Sequence, residues 1–193
     1  MLRATVLMAA LMSATAAPAA TLSQTIHFSG AKAANLFGLY MTGVGQERIT
    51  GLPARYLNPK GETVERGSAG SRLEAFCFEP TKCGVDAKVI AVDESPVIHI
   101  VVMSWWNFGW VSAVDAADYS LDKRGAPDST LTLAFRDTPA GAQIELTQAN
   151  VPDYKVVIPS PDGSKETGPL SSIVNTHWNT LYWDGIRRLV EAK

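Results

Sequence analysis

Residues 171–193, with the sequence SSIVNTHWNTLYWDGIRRLVEAK, predict one long amphipathic helix at the end of the chain. Ser171 or Ser172 is expected to cap its first turn, and the cations near its end suit the negative pole of the helix dipole. A broad apolar stripe runs along it at three- and four-residue spacing: Val174, Trp178, Leu181, Tyr182, Gly185 and Leu189. A stripe of this width must be buried, so the rest of the chain has to supply a matching apolar surface.

The partner predicted for this helix is a meander of antiparallel strands. Ser29 is expected to cap a helix over 31–41, and the turn-rich stretch 45–70 is expected to hold a short helical piece and an irregular strand near 54–57. Alternating or β-rich segments between turn residues predict the other strands, at 21–28, 72–78, 84–92, 97–106, 130–137 and 142–149. The order predicts an α+β fold in which a curved antiparallel sheet of about six strands wraps on the C-terminal helix.

The first 19 residues predict a cleaved secretory signal peptide. Arg3 supplies a positive start, a short apolar run follows, and residues 17–19 form an A-x-A site, with residues 14–16 as the second choice. The apolar run is shorter than the roughly 20 residues that a membrane-spanning helix needs. We therefore expect cleavage after Ala19, a mature domain at 20–193 without a transmembrane segment, and a periplasmic or secreted location.

The two cysteines, Cys77 and Cys83, flank a predicted hairpin turn that contains Pro80. An oxidising compartment would let them form a structural disulfide, which would stabilise so short a loop by about 2 kcal/mol. Free thiols remain an alternative. A redox-active pair is a weaker one, because the C-x-x-C spacing at the start of a helix is absent.

Four stretches of the chain resemble a known family in their order and spacing: 48–54, 89–105, 130–152 and 178–186. They are similar to the C-terminal domain of activators of the ATPase of heat-shock protein 90, within the START-like helix-grip (SRPBCC) superfamily. The resemblance implies that residues 20–193 form one START-like domain with the helix-grip fold. The chain departs from the family at Trp106, where Arg is usual, at His177, where Gly is usual, and in two insertions, 107–129 and 153–170.

The resemblance implies the fold more strongly than the activity. Stimulation of the chaperone is a property of cytosolic family members that carry a further N-terminal domain, and an exported chain would not meet that chaperone. Since one fold hosts many functions, the role has to be argued from the site.

Charge and motifs argue against several function classes. The net charge of −2 supplies no basic field for nucleic acid. The histidines His27, His99 and His177 lack metal-ligand spacing, and no nucleophile–base motif occurs. We therefore expect no catalytic residue, no metal and no cofactor. The aspartates of the 107–129 insertion lack the pattern of a calcium loop.

Acid–base chemistry of the cyclase type would need polar groups that point into a cavity. The sequence offers Glu74, Glu145 and Arg136 for this role. Strand alternation places Glu145 opposite Ile144 and Leu146, and therefore on the outer face of the sheet.

The aromatic residues give the clearest functional hypothesis. Of Trp105 and Trp106 on one strand, one must point inward and the other outward. Trp106, Phe108 and Trp110 suggest an exposed patch for a partner or for a membrane surface. The residues predicted to line a ligand cavity between sheet and helix are Tyr40, Trp105, Phe135, Trp178, Leu181 and Tyr182; the alternative is that they are simply core.

Three functions remain open at this point. The favoured one is an exported, non-enzymatic domain that binds a small apolar or amphipathic ligand, or a protein partner, between the sheet and the C-terminal helix. The second is an interaction module that modulates a protein of the envelope. The third is an enzyme of the cyclase or hydratase type that uses the same cavity.

Overall fold

A computed structural model describes residues 19–79, 82–107, 129–152, 155–159 and 165–191. Eight antiparallel strands form one sheet in the order β1-β8-β7-β6-β5-β4-β2-β3. Their bounds are β1 (Ala19–Ser29), β2 (Ala54–Leu57), β3 (Thr63–Val64), β4 (Arg72–Glu79), β5 (Lys82–Glu94), β6 (His99–Asn107), β7 (Ser129–Thr138) and β8 (Gly141–Pro152).

Two short helices follow β1, and a longer helical element ends the chain. The first pair is α1 (Ala33–Tyr40) and α2 (Gly43–Thr50). A separate hairpin of β9 (Lys155–Pro159) and β10 (Lys165–Pro169) leads into the last element. That element, the C-terminal helix, consists of α3 (Leu170–His177), a π-helical segment (Trp178–Trp183) and α4 (Asp184–Glu191). The predicted α+β helix-grip architecture is confirmed.

The sheet is larger than predicted. It has eight strands rather than about six, because the irregular strand predicted near 54–57 joins it as β2 and the two-residue β3 extends the edge further. A strand of two residues is too short to show an alternating pattern. Residues 153–170, predicted as an insertion, contain the β9–β10 hairpin. The middle of the other insertion, residues 108–128, lies outside the described residues, as does nearly all of the predicted signal peptide.

Both predicted serine caps are wrong. Ser29 is the last residue of β1, and α1 begins at Ala33 after Lys32, whose side chain makes no cap. Asp137 of β7 serves instead, since its Oδ1 accepts a hydrogen bond of 2.9 Å from the Ala33 amide. The C-terminal helix starts at Leu170, directly after Pro169 ends β10, so the helix begins before either serine.

Thr42 and Gly51 set the two ends of α2. Thr42, predicted to close the first helix, caps the second one, with its Oγ1 accepting a bond of 3.1 Å from the Gly45 amide. Gly51 ends α2 with φ of 74°, a left-handed conformation that favours glycine. After Gly51 the chain returns to the sheet as β2. This step lies within the 48–54 stretch that resembles the family.

The disulfide predicted between Cys77 and Cys83 is confirmed. The two residues are direct partners in the β4–β5 ladder. The residue before Cys77 has an unusual backbone, because Phe76 adopts φ of 59°, which is rare for a bulky side chain. As a result, Ala75 and Phe76 are both buried in the core although they are neighbours on a strand.

One core fills the space between the sheet and the helices. It draws on β1, α1, α2, most strands of the sheet and the whole C-terminal helix. Ile26 and Phe28 of β1 are buried on the side predicted from alternation, while Ser23, Thr25 and His27 are exposed. Within the part of the chain that the structure describes, no helix has both the length and the apolar character to cross a membrane.

Candidate ligand site between the sheet and the C-terminal helix

Five of the six residues predicted to line a cavity lie together as one continuous cluster of rings, here called the aromatic cluster. Ring centroids are 6.1 Å apart for Phe135 and Tyr40, 6.1 Å for Tyr40 and Tyr182, 4.4 Å for Tyr182 and Trp178, and 5.7 Å for Trp178 and Trp105. All five residues are buried. The rings pack directly on one another, so the cluster forms part of the core of the described protein.

Each member of the aromatic cluster is placed by a different element. Tyr40 is the last residue of α1, Trp105 lies on β6 and Phe135 on β7. Of the two tryptophans of β6, Trp105 points inward, because its ring contacts Trp178 of the C-terminal helix. The side chain of Trp106 lies outside the described part of the structure, as do Phe108 and Trp110.

The π-helical segment changes which residues of the C-terminal helix face the sheet. Its i→i+5 hydrogen bonds bring residues five apart to one side, and Trp178 stacks on Trp183 at 5.3 Å. Trp183 is therefore buried, although the regular helical stripe omitted it. Leu181, predicted as a lining residue, is only half-buried and packs at the margin of the core.

Two glutamines of the sheet hold the two indoles of the π-helical segment. The Trp178 Nε1–H donates to Gln148 Oε1 at 2.8 Å, and Gln148 Nε2 donates in turn to Ser129 Oγ at 2.8 Å. The Trp183 Nε1–H donates to Gln24 Oε1, and Gln24 Nε2 donates to Asn175 Oδ1 at 2.7 Å. The indole N–H groups are thus satisfied inside the core.

Sequence reasoning missed these glutamines as anchors. The signal available for Gln24 was its place on the apolar side of an alternating strand, where a polar residue needs a partner. No spacing rule could have paired it with Trp183, because the two residues are 159 positions apart.

The third buried polar side chain of the π-helical segment, that of Tyr182, has no such anchor. Tyr182 is 2% exposed, and its hydroxyl is buried without a hydrogen-bond partner among the described residues. The neighbouring Tyr40 hydroxyl donates to the sulfur of Met103 at 3.9 Å, and sulfur is a weak acceptor. The Tyr182 phenol, in the middle of the apolar core, is therefore the one whose hydroxyl has no hydrogen bond within the described residues.

A third phenol beside them is satisfied. The Tyr56 hydroxyl donates to the Tyr40 carbonyl oxygen at 3.1 Å, and Gln46 Nε2 donates to the same oxygen at 2.7 Å. This carbonyl lies at the C-terminal end of α1, where helices leave acceptors unpaired. Tyr56 and Gln46 thus help to fix the end of the helix that carries Tyr40.

Burial raises the pKa of all three phenols above the ordinary tyrosine value. Desolvation is the largest cause for each. For Tyr40, the neighbouring phenols Tyr182 and Tyr56 raise the pKa further, while a hydrogen bond with Gln46 opposes the shift. The hydroxyls of the core therefore remain protonated, and each can donate a hydrogen bond, over the physiological pH range.

The polar residues considered for acid–base chemistry do not join the aromatic cluster. Glu74 alternates with the core residues Leu73 and Ala75 and lies on the outer face of the sheet, where it pairs with Arg55 at 2.5 Å and with Arg72 at 3.0 Å. Arg72 also binds the buried Asp86 through two hydrogen bonds, of 2.8 and 2.6 Å. These charges form a structural ion-pair network across β2, β4 and β5.

The other acid–base candidates also face outward, as alternation predicted for Glu145. Arg136 and Glu145 lie 3.9 Å apart as a half-exposed pair on β7 and β8. The histidines His27, His99 and His177 lie on β1, β6 and α3. Within the described ranges, no three metal-ligating side chains come together.

The chain is similar in fold to several solved structures, while no family model and no curated protein sequence matches it. It aligns with Ara h 8.0201 at a TM-score of 0.54 and 13% identity, over 91% of this chain and 100% of that one. A hypothetical protein from Helicobacter pylori gives 0.51 and 10%, over 98% of both chains. An uncharacterised protein from Rhizobium leguminosarum gives 0.50 and 15%, over 92% of this chain and 98% of that one.

These likenesses show the fold. Ara h 8.0201 has a Bet v 1-like fold of the START type, in which a curved antiparallel sheet grips a long C-terminal helix. The chain described here has the same helix-grip architecture. At identities of 10–15%, nothing about a ligand or partner is carried over from the relatives.

Proposed function

We propose that this chain is an exported START-like domain that binds a small apolar or amphipathic molecule between the sheet and the C-terminal helix. The observation that carries the proposal is the buried Tyr182 hydroxyl in the middle of the aromatic cluster, which has no hydrogen-bond partner in the described part of the chain. An unsatisfied buried hydroxyl costs about 1–3 kcal/mol. A ligand with one hydrogen-bond acceptor and an apolar body would remove that cost.

The π-helical segment supports the same location. Such segments are rare and often lie at functional sites, and this one carries Trp178, Tyr182 and Trp183. Because the rings pack on one another, a ligand has to separate the segment from the sheet before it can insert. Packing is tight further along the helix, where a Cβ at Gly185 would lie 1.9 Å from the Ile49 carbonyl oxygen. Opening is therefore expected around the π-helical segment, with α4 held in place on α2.

Aromatic side chains and one polar anchor suit a predominantly apolar ligand. The ring faces of Trp105, Trp178 and Phe135 would contact its body, and the Tyr182 hydroxyl would donate to its acceptor. Since the phenols are neutral at physiological pH, the cluster offers no charge to balance an ionised head group. A neutral ligand is therefore favoured.

Export is part of the proposal and rests on two features. The first 19 residues have the pattern of a signal peptide, and the Cys77–Cys83 disulfide suits an oxidising compartment. The resemblance to activators of the ATPase of heat-shock protein 90 supports only the fold of this exported domain.

Native mass spectrometry of the protein, expressed with its own leader and purified from the envelope fraction, tests the function. The expected result is a non-covalent adduct of defined mass that is lost on denaturation. The denatured mass also reports cleavage after Ala19 and the two hydrogens lost at Cys77 and Cys83. A clean mass without an adduct, in the native state and after incubation with an envelope lipid extract, would contradict ligand binding. A retained leader would contradict export.

A further inference from the structure

A groove of ≈ 580 Å³ lies where α1, α2 and the end of α4 meet. Its lining includes Leu39, Val44, Leu189 and Val190, and it shares no residue with the aromatic cluster. Val44 is 71% exposed, so its apolar side chain is accessible to a ligand in the groove. The volume is within the range of small-molecule sites, about 300–1,000 Å³.

The described lining of the groove also carries two cations and no acid. Lys32 and Arg48 are among its lining residues, and the lining residues that the structure describes include neither Asp nor Glu. Within the described part of the chain, no ion pair or side-chain hydrogen bond engages either cationic group. The nearby carboxylate of Asp137 is outside the lining and accepts from the Ala33 amide. An anion bound at Lys32 and Arg48 would therefore meet no opposing carboxylate among the described lining residues.

Gly38 keeps one wall of the groove open. It lies inside α1, where glycine is less stable than alanine by roughly 1 kcal/mol. A Cβ at this position would meet nothing within 4 Å, so the packing of the core does not require glycine here. The open space faces the groove, which Gly38 lines.

We propose that this groove is a second binding site, which takes a single-chain amphiphile with a carboxylate head, as in a fatty acid. The carboxylate binds between Lys32 and Arg48, where charge-assisted hydrogen bonds are strong. The alkyl chain lies along Leu39, Val44 and Leu189. This site is separate from the one between sheet and helix and differs from it in requiring a charged head.

Isothermal titration of the mature protein with decanoate, below its micelle concentration, tests the proposal. Decanol is the neutral comparator with the same chain, and acetate is the anion without it. Decanoate is expected to bind saturably and about tenfold or more tightly than decanol, with acetate showing no measurable binding. Added salt should weaken decanoate binding. No saturable binding of decanoate, or equal binding of decanol, would overturn the proposal.

Variants locate the site. The double variant Lys32→Gln/Arg48→Gln is expected to weaken decanoate binding about tenfold and to leave decanol unchanged. The control Lys60→Gln/Lys88→Gln removes two exposed cations elsewhere and should leave decanoate binding unchanged. Equal effects of the two double variants would contradict the assignment, because the response would then follow net charge alone.

Gly38→Leu tests the groove by filling it. It should weaken the binding of both decanoate and decanol about tenfold. The unfolding temperature should stay level or rise, because leucine favours the helix more than glycine does. Tyr182→Phe should leave decanoate binding unchanged. If Tyr182→Phe abolishes decanoate binding and Gly38→Leu does not, the amphiphile binds in the aromatic cluster; the groove proposal is then wrong and the function proposed above stands.

Discussion

The aromatic cluster and the groove of α1, α2 and α4 both border the C-terminal helix, yet they differ in packing and charge. In the aromatic cluster, ring centroids lie 4.4–6.1 Å apart and the hydroxyl of Tyr182 is buried without a partner among the described residues. In the groove, Val44 is largely exposed and two cations line open space. The first region is closed and neutral, whereas the second is open and positive.

This difference separates two ways of building a binding site. The groove is preformed, so its ligand is bound with little rearrangement of the backbone. The aromatic cluster has to open, and the interactions of the ligand must offset the packing energy of the rings that it separates. We therefore expect slower association at the aromatic cluster than at the groove.

Alkaline pH should give the largest effect on stability. The pKa values of Tyr40, Tyr56 and Tyr182 are raised in the folded protein, so above pH ~10 only the unfolded chain releases these protons. Each phenol then lowers the free energy of unfolding by about 1.4 kcal/mol per pH unit. Stability is fully present below pH ~10 and is lost as the pH rises towards the folded pKa values.

The absorbance of tyrosinate against pH measures this directly. Three of the five tyrosines should ionise only as the protein unfolds, and circular dichroism should lose its signal over the same range. Free titration of all five phenols in a folded protein would show that the aromatic cluster is open to water.

Gly185→Ala should give the next largest effect. A Cβ at Gly185 would lie 1.9 Å from the Ile49 carbonyl oxygen, which belongs to the backbone of α2. We expect a loss of about 3 kcal/mol in the free energy of unfolding by urea. The control is Gly38→Ala in the open wall of the groove. This change should raise the free energy of unfolding by roughly 0.5–1 kcal/mol. Equal effects of the two changes would contradict the contrast between closed and open packing.

Gln148→Leu tests the anchor of the π-helical segment. This change removes the acceptor of the Trp178 indole N–H and the donor to Ser129. It should lower the free energy of unfolding by about 2 kcal/mol, because the indole N–H and the serine hydroxyl stay buried. The control is Gln143→Leu on the same strand, which removes a half-buried contact with Glu145. It should lower the free energy of unfolding by at most about 0.5 kcal/mol. A double-mutant cycle with Trp178→Phe should show coupling of about 1 kcal/mol; additive effects would count against the anchor.

Strand and helix identity could be predicted where periodicity is strong, as in β1 and in most strands between residues 72 and 149. The caps were not predictable in the same way. Asp137, which caps α1, lies 104 residues from Ala33, so only the folded sheet brings it there. Ser29, Ser171 and Ser172 had suitable side chains, but strand ends decided where the helices begin.

The aromatic cluster was largely predictable, because alternation and helical spacing select inward-facing aromatic residues. The burial of Trp183 was not predicted, because a π-helical segment breaks the 3.6-residue period. For the same reason Leu181 is less buried than expected. The groove could not be predicted at all. Lys32, Gly38, Arg48 and Leu189 share no periodic pattern, and the packing of three helices alone brings them to one surface.

The central claim is that a ligand is held by the free hydroxyl of Tyr182, and one pair of variants tests it most directly. Tyr182→Phe and Tyr56→Phe each remove one buried hydroxyl, and of the two only that of Tyr56 has a hydrogen bond within the described residues. Ligand occupancy in native mass spectra and urea unfolding of the stripped protein are measured side by side with the wild type.

The account predicts opposite results for the two variants. Tyr182→Phe should lose about tenfold in ligand affinity and keep or gain stability, whereas Tyr56→Phe should lose about 1 kcal/mol of stability and keep its ligand. Unchanged ligand occupancy in Tyr182→Phe would contradict the claim that this hydroxyl holds the ligand.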